Sequence, residues 1–269
     1  MIRKPVVAGQ FYPSDPQALK KLIADFGLKK CDKKEKIISC ILPHAGYIYS
    51  GKVAARVLSQ IEIGETCIIL GPNHTGYGAA CSIQKEGEWL TPLGRVPIDS
   101  DLAEQIIENS KDMEEDEAAH AFEHSIEVEL PLIQEICRND FSFVPIVLAS
   151  ADILVYKDIA NAIALSIKSS KKSVTIVASS DMTHYESQAS ANKKDEEAIT
   201  PILNLDELGL LDKIERLGIS MCGYVPAVVA ILASKMLGAK TGKLVSYQTS
   251  GDVTGDFEAV VGYAGITIS

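Results

Sequence analysis

Three of the chain's five histidines follow short apolar runs. Ile37–Leu42 leads into Pro43-His44-Ala45-Gly46-Tyr47. Thr66–Leu70 leads into Gly71-Pro72-Asn73-His74-Thr75-Gly76. Val174–Ala178 leads into Ser179-Ser180-Asp181-Met182-Thr183-His184-Tyr185. Open α/β sheets bind ligands at the carboxyl ends of their strands, drawing side chains from several strand ends. Three imidazoles at equivalent points therefore read as metal ligands or acid/base groups rather than as loop caps. Cys222 lies just before a strongly apolar helical pattern, where the helix dipole stabilises a thiolate, the form that ligates metal. A buried, inert thiol is the plain alternative.

The other two histidines sit in His120-Ala121-Phe122-Glu123-His124. Spacing of four puts both on one helix face if the helix already runs through 120. The order H-x-x-E-H also occurs in inverted zinc proteases, but that use leaves the remaining histidines without a role. Glu123 reads as a first-turn acid complementing the helix dipole. His120 is expected to be solvated or to support the site from behind, and His124 to point into the cleft.

The elements that must position these residues can be read from periodicity. Strands are expected at Ile37–Leu42, Thr66–Leu70, Phe143–Leu148, Val174–Ala178, Leu244–Gln248 and Ala259–Ile268. The first four are continuous apolar runs, as for strands covered on both faces. Helical spacing of apolar residues marks Gly51–Gln60, Asp101–Asn109, Glu123–Arg138, Ile153–Ile167 and Val225–Leu237. The alternation predicts an α/β fold: a mixed, largely parallel central sheet flanked by helices on both faces. The last two strands form an antiparallel hairpin across Gly251 to Gly255. The charged stretches Lys29–Lys36 and Lys111–Glu117 read as solvated connections. A length of 269 residues suits a single domain over 1–269.

Bulk properties narrow the function classes. A net charge of -10 repels phosphate backbones and anionic bilayers, so nucleic-acid and membrane partners are not expected. No apolar run is long enough to span a bilayer, and no secretory signal is visible. The six cysteines form no C-x-x-C pair, so a reducing, cytoplasmic setting is expected, with five of the six structural. The loop 71–76 lacks G-x-G-x-x-G, which argues against a dinucleotide site. Ser180, Asp181 and His184 are too close in sequence for a nucleophile–base–orienter relay, and no G-x-S-x-G elbow is present.

Six segments occur in order: Ala8-Gly9-Gln10-Phe11-Tyr12-Pro13, Pro43-His44-Ala45-Gly46-Tyr47, Gly71-Pro72-Asn73-His74, Glu123-His124-Ser125-Ile126-Glu127, Ser180-Asp181-Met182-Thr183-His184-Tyr185 and Cys222-Gly223-Tyr224. Together they resemble the MEMO family (mediator of cell motility), whose microbial members are also called AmmeMemoRadiSam system protein B. The resemblance spans nearly the whole chain. It implies a LigB-like fold, that of the class III extradiol non-haem iron dioxygenases. In those enzymes two histidines and a glutamate hold Fe(II), and a further histidine is the acid/base. By resemblance, His44 and His74 are the metal histidines and Cys222 stands where the glutamate would. His184 is the acid/base histidine, with Asp181 beside it to orient the imidazole, and His124 is a second pocket histidine.

Cys222 is the departure that matters. A carboxylate is a hard ligand suited to Fe(II) oxygen chemistry. A thiolate is softer, favours Cu(I), Zn(II) or thiolate-ligated iron, and can itself be oxidised. Iron or copper is the expected ion, with zinc as the alternative. Two readings stay open. One is a metal-dependent redox enzyme of dioxygenase ancestry, with Tyr47, Tyr185 and Tyr224 lining an aromatic-friendly pocket. The other is a non-catalytic protein that binds metal, a small molecule or a peptide in the same cleft. Inheriting the fold does not carry the reaction with it.

Overall fold

The computed structural model describes residues 1–28, 34–137 and 140–269. A nine-stranded sheet runs through its centre. In chain order its strands are β1 (Ser39–Leu42), β2 (Thr66–Pro72), β3 (Cys81–Ile83), β4 (Glu114–Glu115), β5 (Ser142–Leu148), β6 (Val174–Ser179), β7 (His184–Glu186), β8 (Gly242–Thr249) and β9 (Val260–Ile268). The spatial order is β7-β9-β1-β6-β2-β5-β3-β4, with β8 paired on β9. The central strands β1, β6, β2 and β5 are mutually parallel. β9 joins β1 antiparallel, and β3 joins β5 antiparallel. The sheet is thus mixed and largely parallel, as the apolar runs imply.

Neighbouring residues of the central strands enter different cores. Ile68 and Leu70 join one cluster with helices α3 (Ser100–Asn109), α5 (Ile153–Ser169) and α8 (Tyr224–Met236). Cys67 and Ile69 join the other, with α1 (Pro16–Asp25), α2 (Gly51–Leu58) and α4 (Glu129–Cys137). Two-sided burial explains why these strands carry no polar alternation. The helices α6 (Gln188–Leu203) and α7 (Glu207–Leu217) complete the first side. Among the described residues no helix is long and apolar enough to cross a membrane.

The expected hairpin is present: β8 and β9 pair from Gly242↔Ile268 to Thr249↔Gly262. Its turn contains a one-turn helix, Gly251–Thr254, closed by Gly255 at φ +78°.

One expected helix is corrected. Glu123–Arg138 is not continuous: a short helix spans Ala118–Ala121, the chain then turns irregularly, and α4 begins at Glu129. Pro131 supplies the reason. Its ring would clash with the Glu127 carbonyl four residues back, so it is accommodated only in a first turn. His120 and His124 therefore do not share a helix face. Arg138, the expected last residue, lies outside the described residues, as do residues 29–33 of the first charged stretch and Cys31. The second stretch is not wholly a solvated connection, because Glu114–Glu115 pairs with Ser82 and Ile83 at the sheet edge. A small three-stranded sheet of Ile2–Arg3, Glu88–Thr91 and Gly94–Pro97 was not expected from the sequence.

Candidate metal centre

β6 lies between β1 and β2, with Ser179 level with Leu42 and Ala178 level with Leu70. Adjacent parallel strands are about 4.8 Å apart. The loops carrying His44, Asp181 and His74 therefore leave the same edge side by side. The loop before α8 reaches them through Gly223, whose backbone N–H donates to Ser180 Oγ at 3.0 Å. A Cβ on Gly223 would meet the Ser179 carbonyl oxygen at 2.2 Å, so the close approach requires glycine.

The result brings His44, His74 and Cys222 together, with their ligand atoms all within 4.8 Å of one another. His44 Nε2 lies 3.4 Å from Cys222 Sγ. Ligand bonds of about 2.0–2.3 Å put two donors on one ion at up to about 4.5 Å. A shared ion would therefore need only a small contraction of the set. In the donors' chemistry and spacing, these residues fit a transition-metal ion.

Each imidazole is held through its other nitrogen. His44 is 2% exposed, with Nδ1 2.8 Å from Ser179 Oγ. His74 is more open. Its Nδ1 lies 2.9 Å from Glu123 Oε1, and its backbone N–H donates to Glu123 Oε2 at 2.7 Å. Glu123 has no exposed surface and also accepts the N–H groups of His124 and Ser125. Burial works to raise its pKa, but these hydrogen bonds and the neighbouring imidazoles of His74 and His124 outweigh it and lower the value to about 2. His74, Glu123 and His124 could themselves be drawn as a ligand set. The carboxylate of Glu123 is already filled by N–H donors, which makes it an orienting group for His74. The expectation of a first-turn acid is corrected accordingly.

His124 lines the cleft. Its ring stacks on His74 at 4.8 Å, stands 5.6 Å from His44 and takes the edge of Phe11 at 4.8 Å. Burial first, then the neighbouring imidazoles, lowers the His44 pKa well below the usual range; burial is also the largest cause of the lowered His124 value. Neutral rings carry the lone pairs a metal needs.

Cys222 behaves differently from the sequence expectation. Gly223 does cap α8, and the Asp181 N–H donates to Sγ at 3.3 Å. Yet burial, followed by the Asp181 charge, pushes the thiol pKa up. Desolvation outweighs the helix terminus, so the ion-free site holds a thiol. A coordinating cation would displace that proton.

Asp181 and His184 flank the centre without touching each other through a hydrogen bond. Asp181 Oδ1 accepts the His44 N–H at 2.9 Å and the Ala45 N–H at 3.3 Å. Burial raises its pKa to about 6, against the opposing pull of His184 and those N–H groups. His184 Nδ1 lies 2.9 Å from the Ser220 carbonyl, which can only accept, so Nδ1 carries the proton and Nε2 is the basic nitrogen. The orienter of His184 is thus Ser220 rather than Asp181. Ser180 Oγ donates to the Asp181 carbonyl and makes no bond to His184, so no serine relay exists.

Four of the five histidines, His44, His74, His124 and His184, line a cleft of about 610 Å³ with Phe11, Tyr49, Tyr185 and Tyr263. Of the expected tyrosines only Tyr185 is there. Tyr47 is buried, its hydroxyl on the Val128 carbonyl at 2.6 Å, and Tyr224 bonds Ser150 outside the cleft. His120 is not solvated: it is 1% exposed, bonded to Ser82 and edge-on to Trp89. The sequence also left Ser179, Glu127 and Glu129 unmarked. Glu127 lay inside a quoted motif, but its role in holding residues 3–12 depends on long-range contacts.

Fold and site define a class: an α/β protein with a histidine-lined cleft at the carboxyl edge of parallel strands and a His/His/Cys donor set there. The chain belongs to the Memo-like protein family, whose model matches residues 3–267. A MEMO1 family protein of Methanopyrus kandleri is 43% identical over 278 aligned positions, covering 99% of this chain and 98% of that protein. One of Aquifex aeolicus is 44% identical, covering 98% of each. A solved structure of an uncharacterized Escherichia coli K12 protein superposes with a TM-score of 0.59 at 12% identity. It covers 86% of this chain and 99% of that one, which supports the fold.

Proposed function

We propose that the protein binds a transition-metal ion through His44 Nε2, His74 Nε2 and Cys222 Sγ, with iron or copper preferred and zinc as the alternative. The observation that carries this reading is the convergence of three donor atoms within 4.8 Å from segments up to 178 residues apart. One thiolate and two neutral imidazoles suit borderline and soft ions. Such an ion would supply Lewis-acid or one-electron redox chemistry to a small-molecule or peptide ligand in the cleft.

The chain's own groups fit a reactive role. His184 presents a basic Nε2 in the cleft lining, suited to taking a proton from a bound ligand. Asp181 fixes the His44 backbone. Phe11, Tyr49, Tyr185 and Tyr263 give the cleft aromatic walls suited to an apolar part of a ligand. The competing reading, binding without turnover, rests on Cys222 as a soft, oxidisable donor.

Metal analysis of purified protein, followed by anaerobic titration with Fe(II), Cu(I) and Zn(II), tests the proposal. Wild type should bind one ion per chain, and Cys222→Ser should bind at least tenfold more weakly. Equal affinity in the two proteins would remove Cys222 from the ligand set. Oxygen uptake with catechols and related aromatics, lost in His184→Gln while metal is retained, separates an enzyme from a binding protein.

A further inference from the structure

Ser179 Oγ, behind His44, has three close neighbours. They are His44 Nδ1 at 2.8 Å, the Ser125 carbonyl oxygen at 2.7 Å and Glu129 Oε1 at 3.0 Å. Ser179, Ser125 and Glu129 have no exposed surface. A hydroxyl gives one proton and offers two lone pairs. The Ser125 carbonyl can only accept, so the Ser179 proton points to it. Both other neighbours must then bring protons of their own.

We propose that Glu129 is a neutral carboxylic acid which, together with Ser179, locks His44 in the Nδ1–H tautomer and so turns the Nε2 lone pair toward Cys222 and the ion. Glu129 and Ser179 are positioning residues, and the assignment deepens the metal reading above.

Two further observations agree. Glu129 Oε2 has no hydrogen-bond partner. A bare oxygen on an ionised carboxylate would cost far more at that fully buried position than the carbonyl of a neutral acid. Asp181, Cys40 and Tyr47 interact with it as further acids, His44 reaches it only through the Ser179 hydroxyl, and burial first, then Asp181, raises the Glu129 pKa well above the usual carboxylate range. His74 reaches the same tautomer by the opposite route, through the ionised Glu123. The two imidazoles are therefore backed by different groups, His74 by an anion and His44 by a neutral hydroxyl.

The test begins with metal-free wild type labelled with 15N-histidine, with His44 assigned by loss of its signals in His44→Asn. Long-range 1H–15N spectra should show protonated Nδ1 and bare Nε2 at neutral pH. The infrared difference between wild type and Glu129→Gln should contain the C=O stretch of a buried carboxylic acid. Ser179→Ala should mix the tautomers and lower Co(II) affinity about 10–100-fold, as loss of a partner behind a metal histidine does. Glu129→Gln keeps a neutral donor–acceptor end and should preserve the tautomer. A protonated Nε2 on wild-type His44, or no acid band, overturns the lock, and both are read without any variant needing to bind metal. An Nδ1–H tautomer in a wild type that takes up no Co(II) upholds the lock and ends the metal reading.

Discussion

The carboxylate of Glu123 grips His74 twice, at its backbone N–H over 2.7 Å and at its ring Nδ1 over 2.9 Å, from a position with no exposed surface. An imidazole held at two points has one orientation. Glu123→Gln would replace one acceptor oxygen with an NH2 facing N–H donors. It should lower metal affinity about 10–100-fold and cost about 1–3 kcal/mol of stability. Competitive titration against a chelator and urea unfolding measure the two effects. Wild-type affinity in a folded Glu123→Gln protein would show that Glu123 does not orient His74.

Gly223 is the hinge-pin of the Cys222 loop. An added Cβ meets backbone and side-chain atoms of Ser179 and Ser180 at 2.2–2.7 Å. Gly223→Ala should push the loop outward, move Sγ off His44 and abolish tight metal binding. Gly218→Ala, where a Cβ meets nothing but φ is +58°, should cost about 1–2 kcal/mol and leave binding intact. Equal metal affinity in the two variants would contradict the packing argument.

Acid should destabilise the fold in two overlapping windows. His120 is kept neutral, its pKa lowered to about 3 by burial first and then by Arg3, with Asp116 and Glu123 opposing. The unfolded chain takes up that proton near pH 6.5. The stability it contributes is complete above about pH 6.5 and is lost as pH falls toward 3. Glu123, lowered to about 2, contributes fully above about pH 4.5 and loses that contribution as pH falls through 2. Each such proton steepens the acid limb by about 1.4 kcal/mol per pH unit. Urea unfolding at pH 7, 6 and 5 should show a slope reduced by about one proton in His120→Leu. An unchanged slope would place His120 outside the acid response.

Arg3 ties the N-terminal strand to the segment that carries Glu123 and His124. Its guanidinium pairs with Glu127 at 2.7 Å, donates to the carbonyls of His120 and Glu123, and lies 3.9 Å over the Trp89 ring. Arg3→Met leaves Glu127 buried without its cation and should cost about 3–5 kcal/mol. Adding Glu127→Gln should recover part of that loss. A double variant worse than the sum of the singles would refute the buried-charge explanation.

Runs of five or six mostly apolar residues marked the buried strands, because a strand covered on both faces admits only small, hydrogen-bonded polar side chains such as Ser39, Thr66 and Thr175. The loops after β1, β2 and β6 were legible for the same reason, since the polarity changes abruptly at His44, His74 and Asp181. The helix start just ahead of Pro131 was also written in the chain, but the apolar spacing around it concealed that boundary.

Local pattern alone could not reveal which groups stand behind the site. Glu123, Ser179 and Glu129 look like ordinary polar residues in sequence, and Ser220 gives no sign that it holds His184. Their roles come from β6 sitting between β1 and β2 and from residues 122–128 folding back over that edge. Residue type and spacing determined that imidazoles and a thiol would reach one end of a parallel sheet. Only the packed tertiary structure decided which nitrogen each ring offers and which carboxyl is charged, because proton placement depends on neighbours and on desolvation that arise only when distant segments meet.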